Sequence, residues 1–333
     1  MAMKITPGGV GYISEHLPTK KGGSDMYTIN DFTNAVYTAL SAAYPECRIK
    51  AVNVTKNNGV RLTGMAIQPK NKKIAPTLYM EPYFDMLQSG QPFDTVIHQI
   101  INSCKDALSS ANTGIDVGGF TDFGQVKDKI CYKLVGMEKN SGFLSEVPHR
   151  GFHGLAVVYY LHLSMTDNGL ATATVTDTLA RAWGTEEETL YRLARDNTPK
   201  INRGCVKPIT DILSSLSGCP GTHHPSTYGS FDFTNIDDGG LPMYVATNQN
   251  KTFGAGILLY DGFLDAVAEK LGSFYILPSS VHELIIIPDT FGDPSELKKM
   301  VEEINAAEVP EEDVLSDNIF HYGANTHELE TAV

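Results

Sequence analysis

The stretch from Phe274 to Pro288 constrains the fold most, because it is the most apolar segment of the chain. Leu284 to Ile287 is an apolar run without alternation, which predicts an interior strand with both faces covered. Phe274 to Leu277 is a second apolar run. Pro278 lacks an N–H group and is unfavourable within a ladder. The pattern predicts strand, Pro-Ser-Ser turn, strand, with Pro288 ending the second strand. A single strand with a bulge at Pro278 is the alternative.

Four polar residues interrupt this stretch at its middle: Ser279, Ser280, His282 and Glu283. One hypothesis places them at the mouth of a pocket, as candidate ligand- or partner-binding residues. The other is that the serines satisfy backbone groups of the turn while His282 and Glu283 make structural hydrogen bonds. No second histidine follows Glu283 at the spacing of a zinc peptidase. The sequence therefore assigns no catalytic residue to the turn.

Charge and apolar patterning narrow the class of protein. The chain has 333 residues and a net charge of -13, which opposes direct binding to nucleic acid backbones or anionic membranes. No apolar run approaches the roughly 20 residues of a membrane span. Met1 to Lys21 lacks the continuous apolar core of a secretory signal. Five cysteines, odd in number and without a C-x-x-C pair, favour a reduced, cytoplasmic protein.

Repeated hairpin signals predict the fold class. Segments that begin near Arg48, Leu155 and Met243 each predict a strand, an Asn-bearing turn and a return strand, the third returning from Gly254 to Tyr260. A helix follows the second and third segments directly. These repeated strand–turn–strand(–helix) units predict an α+β fold of antiparallel β-hairpins packed against helices.

Apolar periodicity predicts further helices. Phe123, Val126, Ile130 and Leu134 fit one face of a helix, and Thr185 to Glu188 predicts a capping box for a helix that Pro199 stops. A last helix begins with Asp293 and Pro294 as cap and first residue. Its predicted buried residues are Leu297, Met300, Val301 and Ile304.

Composition changes predict how the chain is organised. Gly, Ser, Thr, Asp and Pro dominate after Leu216, which predicts a loop or insertion and a domain boundary there. The predicted parts are a loose N-terminus (1–29), an N-terminal α+β region (30–200), the loop or insertion (201–242), a C-terminal α+β region (243–325) and a tail (326–333).

No metal or cofactor site is assigned. His149 and His153 are four apart, but Pro148 and Gly151 disfavour the helix that would bring them together. His223 and His224 are adjacent and so point apart. Phosphate-binding loops, dinucleotide fingerprints and the G-x-S-x-G motif of serine hydrolases do not occur in the sequence.

Several phrases, in one order along the chain, resemble a known family. They are Lys56-Asn57-Asn58-Gly59-Val60, Ala75-Pro76-Thr77-Leu78-Tyr79, Val126-Lys127-Asp128-Lys129-Ile130, Asp196-Asn197-Thr198-Pro199, Met243-Tyr244-Val245, Leu277-Pro278-Ser279-Ser280-Val281-His282-Glu283 and Leu315-Ser316-Asp317. Together they resemble the family catalogued as domain of unknown function 5688, from anaerobic Gram-positive bacteria, over residues 30 to 325. The Ser- and Gly-rich segment 216–240 departs from its pattern. The resemblance implies a cytoplasmic bacterial protein and brings no activity, cofactor or catalytic residue.

The leading hypothesis for function is a non-enzymatic binding or regulatory module. A protein or small-molecule partner would dock near the Pro278–Glu283 turn, without direct binding to nucleic acid or membrane. One alternative is a hydrolase that uses His282 and Glu283 as acid–base groups, which requires the histidine to face a second catalytic group in a deep pocket. The other is an acidic nucleic-acid mimic that sequesters a basic partner, which requires carboxylates arranged in a stripe.

Overall fold

Two interior strands occupy the apolar stretch, Phe274–Leu277 and Leu284–Pro288. They pair antiparallel with Ile276 opposite Ile286. Ile286 is packed into one buried cluster and Ile287 into another, so both faces of the second strand are covered. The prediction of strand, turn and strand ending at Pro288 is confirmed.

The structure, a computed structural model, describes residues 28–70, 75–110, 122–166, 169–216, 225–234 and 242–333. Two units divide the chain, one formed by Met1–Lys56 with Arg61–Val117 and the other by Asn57–Val60 with Gly118–Val333. Most of the predicted loose N-terminus, Cys219, His223 and His224 lie outside the described residues. The fold is α+β, as predicted.

The first unit packs helices against a three-stranded sheet. Its described elements are α1 (Ile29–Ala43), β1 (Cys47–Thr55), β2 (Arg61–Pro69), β3 (Thr77–Tyr79), α2 (Glu81–Gln88) and α3 (Phe93–Ser110). The strands pair antiparallel in the order β1-β2-β3. Apolar residues of α1 and α3 at helical spacing, such as Phe32 with Val36 and Val96 with Ile100, are buried together in one core. Thr28 caps α1 through a capping box with Asp31.

The second unit contains the apolar stretch. Its described helices and strands are α4 (Phe123–Val126), β4 (Ile130–Gly136), α5 (Ser141–Leu144), β5 (His149–Phe152), β6 (Leu155–Thr166), β7 (Gly169–Thr174), α6 (Asp177–Trp183), α7 (Glu187–Ile201), β8 (Gly204–Pro208), α8 (Ile209–Leu216), β9 (Pro225–Tyr228), β10 (Phe231–Thr234), β11 (Tyr244–Asn248), α9 (Phe263–Leu271), β12 (Phe274–Leu277), β13 (Leu284–Pro288), α10 (Pro294–Ala307), β14 (Phe320–Gly323) and β15 (Glu328–Thr331). In the order β15-β14-β12-β13-β11-β8-β10-β9, eight strands form the main sheet, while β4, β5, β6 and β7 form a second one. Only β8 and β10 pair parallel among the described strands.

The region 201–242, predicted as a loop or insertion, contributes to the main sheet. It contains β8, β10 and β9, and β8 pairs with β11 from Gly204 to Pro208. Val206 and Phe233 are buried in the main core of the unit. The described part of this region is therefore integral to the main sheet of the second unit. Within the predicted tail, β15 pairs with β14 at the sheet edge.

Three local predictions differ from the structure. Gly254–Leu259 is a 3₁₀ helix instead of a return strand, so the third predicted hairpin is wrong. Ile130 and Leu134 lie on the strand β4 instead of on a helix. Their spacing of four misled the prediction, because it places two residues on one face of a strand as well as of a helix. In place of the capping box predicted from Thr185 to Glu188, the N-cap residue of α7 is Glu186, whose side chain makes no capping hydrogen bond. The helix also continues past Pro199, its predicted end, to Ile201.

Two negative results concern the described residues. None of their helices combines the length and the apolar character that a bilayer crossing needs. No group of three or more His, Cys, Asp or Glu among them could hold a metal ion.

Candidate functional site

The turn between β12 and β13 is held in place by a later segment of the chain. The backbone N–H of Val281 donates to the carbonyl oxygen of Asp313 at 2.8 Å, and that of Leu315 donates to Ser279 at 3.0 Å. Ser280 forms an isolated antiparallel bridge with Val314. The turn is thus ordered by strand-like pairing over a sequence distance of more than thirty residues.

Both ring nitrogens of His282 are engaged. Nδ1 faces the backbone N–H of Phe253 at 3.2 Å, and Nε2 lies 3.1 Å from Oδ1 of Asp313. Because a backbone N–H can only donate, Nδ1 accepts, and the proton is on Nε2, which donates to Asp313. The backbone of His282 also donates to Ser280 Oγ at 3.0 Å and accepts from Thr247 Oγ1 at 2.7 Å. The residue joins three separate segments.

A stacked arrangement extends from this ring. The imidazole of His282 lies parallel to the ring of Phe253, with centroids 5.9 Å apart and planes 13° apart. Lys133 Nζ lies 4.4 Å from the centroid of Phe253, a cation–π distance. Phe253 has a φ of 54°, a left-handed conformation that bulky residues rarely adopt. Its contacts with the His282 ring and with Lys133 offset the cost of that backbone conformation.

The predicted site residues separate into two environments. Ser279, Ser280 and Glu283 line a cavity of about 430 Å³, whereas His282 is not among its lining residues. Glu283 is exposed. Adjacent residues His282 and Glu283 therefore face different surroundings, and the turn does not bring them together as an acid–base pair.

The cavity, which we call the turn groove, lies between the sheet and α10. Its floor and walls are mainly apolar: Ile209, Met243, Leu277, Ile285, Met300, Val301, Ile304, Val309 and Pro310. Three carboxylates, those of Glu283, Glu308 and Asp313, complete the lining together with the two serines. The turn groove thus combines an apolar surface with an acidic border.

Helix α10 is positioned by its cap and its apolar side. The Asp293 side chain accepts from the backbone N–H groups of Ser295 and Glu296 and so begins the helix. Leu297 and Val301 pack in a buried cluster with Ile287 of the sheet. Near its end, Asn305 Nδ2 donates to Asp317 Oδ1 at 2.8 Å.

Ile304 of α10 does not join that core. It was predicted to be buried with Leu297, Met300 and Val301, but 42% of it is exposed. Met300 is only partly buried. The helix therefore presents apolar surface into the turn groove that the protein itself leaves uncovered in its described residues.

Sequence reasoning identified the turn but missed most of the groove. The residues that line it outside the turn come from α8, the position just before β11, the last residue of β12, β13, α10 and the segment after α10. Their one sequence signal is the apolar side of α10, which is wider than the buried cluster can cover. Glu308 has no distinguishing signal in the sequence.

A second polar cluster lies on β5 and α7 and is internally satisfied. Arg150 binds Glu187 through two hydrogen bonds of 2.8 and 2.7 Å and lies 3.7 Å from the ring centroid of Tyr191. The Tyr159 hydroxyl also donates to Glu187. Burial acts to raise the pKa of Glu187, but the hydrogen bonds from Arg150 and Tyr159 outweigh it and hold that pKa below its ordinary value. Since every charge has a partner, the cluster joins β5 to α7 without offering a free group.

Comparison with protein families agrees with the resemblance seen in the sequence. The family model described as "Family of unknown function (DUF5688)" matches residues 29–324. The chain belongs to this family. The matched span includes the whole turn groove. No curated protein and no solved structure matches the chain.

Proposed function

We propose that this DUF5688 protein is a non-enzymatic binding or regulatory module of the bacterial cytoplasm, whose partner docks in the turn groove. The observation that carries the proposal is the groove of about 430 Å³ beside the Pro278–Glu283 turn, whose lining is mainly apolar. Cavities of roughly 300–1,000 Å³ lined by apolar side chains and a few polar groups are typical ligand sites. Ile304, 42% exposed at this groove, gives a partner direct apolar contact.

The turn itself supports a binding role over a catalytic one. A hydrolase would need His282 to exchange a proton with a nucleophile or water, but its two nitrogens are bonded to Phe253 and Asp313. Ser280 Oγ accepts from the backbone of His282 and so is directed to the turn. The ring is used to hold the border of the groove in place.

A cytoplasmic location is supported by the thiols. Cys47, Cys104, Cys131 and Cys205 are free among the described residues. Burial raises the pKa of the Cys104 and Cys131 thiols to about 12, so both remain protonated and unreactive at neutral pH. Unpaired cysteines are usual in reducing compartments.

Co-purification from the native cell tests this proposal. Wild-type protein is compared with Ile304→Gln, which removes apolar groove surface without changing charge, and with Phe291→Gln, a matched change at a residue 59% exposed and outside the groove lining. Mass spectrometry of proteins and small molecules should find a partner retained by wild type and Phe291→Gln and lost from Ile304→Gln. A ligand-free monomer, or a partner indifferent to Ile304→Gln, would contradict the proposal.

A further inference from the structure

The border of the turn groove carries charge of one sign. None of the residues that line it is basic, while Glu283, Glu308 and Asp313 are acidic. Asp313 is occupied by His282, but Glu283 and Glu308 form no ion pair with any residue in the described ranges. A partner that covers the groove would bring these two carboxylates out of water, which is unfavourable unless it supplies a cation.

The apolar lining of the turn groove comes from several separate elements of the chain. Ile304 of α10, 42% exposed, adds uncovered apolar surface to that lining. Met243 and Met300 line the cavity, and methionine side chains adapt their shape to different apolar groups. A surface of this kind suits several side chains presented by one segment of polypeptide.

A second copy of this chain is a poor occupant. Each copy carries a net charge of -13, and a self-complementary contact at the groove would place two acidic borders against each other. Anionic membrane surfaces are opposed by the same charges. Complementary charge favours a different protein.

We propose that the turn groove binds a basic, amphipathic segment of a partner protein, with its apolar side chains on Met243, Met300 and Ile304 and its Lys or Arg side chains at Glu283 and Glu308. This inference rests on the proposed function and adds the class of partner. Charge complementarity at the border sets selectivity and salt dependence, while the apolar contacts hold the segment.

Two labelled synthetic peptides of about 14 residues, long enough for about four helical turns, provide the probe. Both carry Leu on one face, and the other face carries Lys in one peptide and Glu in the second. Fluorescence anisotropy should show binding of the Lys peptide alone. Its affinity for wild type should fall as salt is raised from about 50 mM to about 500 mM, because the Debye length shortens.

Variants assign that binding to the groove. The double variant Glu283→Gln, Glu308→Gln should bind the Lys peptide at least about tenfold more weakly than wild type, which means a Kd raised by one decade or more. Ile304→Gln should weaken binding by a similar factor. The matched control is Glu302→Gln with Glu328→Gln, which changes net charge equally at two exposed residues outside the groove lining. This control should bind like wild type. Circular dichroism verifies that each variant is folded.

Other outcomes overturn the inference. If the control pair weakens binding of the Lys peptide equally, the peptide is attracted by the overall charge of the protein and not by the groove. If the Lys peptide does not bind at all, the partner is not a basic segment. Equal binding of the Glu peptide, lost in Ile304→Gln, would leave a binding groove but not a basic partner. Octylamine bound as tightly as the peptide would make the occupant a small amphiphile, and a dimer abolished by Ile304→Gln would make it a second copy. The proposed function itself is contradicted only if the co-purification finds no partner, or none whose retention depends on Ile304.

Discussion

At the scale of single residues, His282 shows how a polar residue in an apolar stretch can serve the fold. Its ring bridges Phe253 and Asp313, and its side chain is 32% exposed. We expect His282→Gln or His282→Asn to lower the free energy of unfolding by about 1–3 kcal/mol, because the partners lose their hydrogen bonds. Urea unfolding followed by the fluorescence of Trp183, the single tryptophan, measures this.

Two companion variants sharpen that prediction. Glu283→Gln should leave stability nearly unchanged, since Glu283 is exposed and the ring nitrogens of His282 bind Phe253 and Asp313. Asp313→Asn should be coupled to His282→Gln in a double-mutant cycle. If His282→Gln melts like wild type while partner binding disappears, the residue belongs to the binding surface instead.

Ile286 tests the burial of the apolar stretch. It is 0% exposed and packs in the main core of its unit. Ile286→Ala should cost about 2–5 kcal/mol, the range for truncating a buried aliphatic side chain. Ile304→Ala, at an exposed residue, should cost about 1 kcal/mol or less. A loss below about 1 kcal/mol at Ile286 would mean that the strand is not interior.

The residues of the turn were predictable as a cluster but not in their separate roles. Pro278 and the serines between two apolar runs indicate a turn. Asp313, which orients His282, follows it by 31 residues, and Phe253 precedes it by 29. No local sequence pattern links such distant partners. Only the tertiary packing shows that His282 has a structural role while Ser279, Ser280 and Glu283 line the groove.

At the scale of elements, the 3₁₀ helix Gly254–Leu259 packs closely beneath the turn. A Cβ atom at Gly254 would collide with Thr247 Oγ1 and the carbonyl oxygen of His282. Gly254→Ala should therefore cost about 1–3 kcal/mol through overpacking. Gly142→Ala is the control, because no atom lies within 4 Å of its added Cβ. Equal stability of the two variants would show that the contact relaxes freely.

The hydrogen bonds of Glu187 on α7 with Arg150 on β5 and with Tyr159 should make stability depend on pH. The pKa of Glu187 in the folded state lies below its ordinary value, so its contribution is present above the unfolded pKa, about 4.3, and is lost as pH falls through the folded pKa. Glu187→Gln should lower the free energy of unfolding at pH 7, and its difference from wild type should narrow from about pH 5 to about pH 3. Glu302→Gln is the exposed control. A difference from wild type that is constant with pH would contradict the ionic origin.

Elements with distinctive local chemistry were predicted well, and ambiguous ones were not. The apolar stretches Phe274–Leu277 and Leu284–Pro288 carry their own boundary signals, including prolines. Ile257 to Leu259 is a short apolar run that fits a strand and a buried 3₁₀ turn equally. The positive φ of Phe253, the residue just before the 3₁₀ helix, has no sequence signal because Phe rarely adopts it.

At the scale of the whole molecule, composition marks a polar segment but not the sheet that its described strands join. Polar, Gly-rich sequence after Leu216 predicted a boundary, yet β8 and β10 on either side of it are adjacent in the main sheet. The sheet pairs strands that are distant in sequence, and such pairing is decided by long-range packing. Family membership over residues 29–324 spans both units.

The two units should unfold as distinguishable transitions, because each has its own hydrophobic core. Trp183 lies in the second unit, so its fluorescence reports that unit, while far-UV circular dichroism reports helices of both. Ile97 is 1% exposed in the core of the first unit. We expect Ile97→Ala to shift part of the dichroism transition to lower urea and to leave the Trp183 midpoint nearly unchanged. Ile286→Ala should do the reverse, moving the fluorescence transition. If Ile97→Ala moves both signals together by the same amount, the units unfold as one cooperative structure and their cores are energetically coupled.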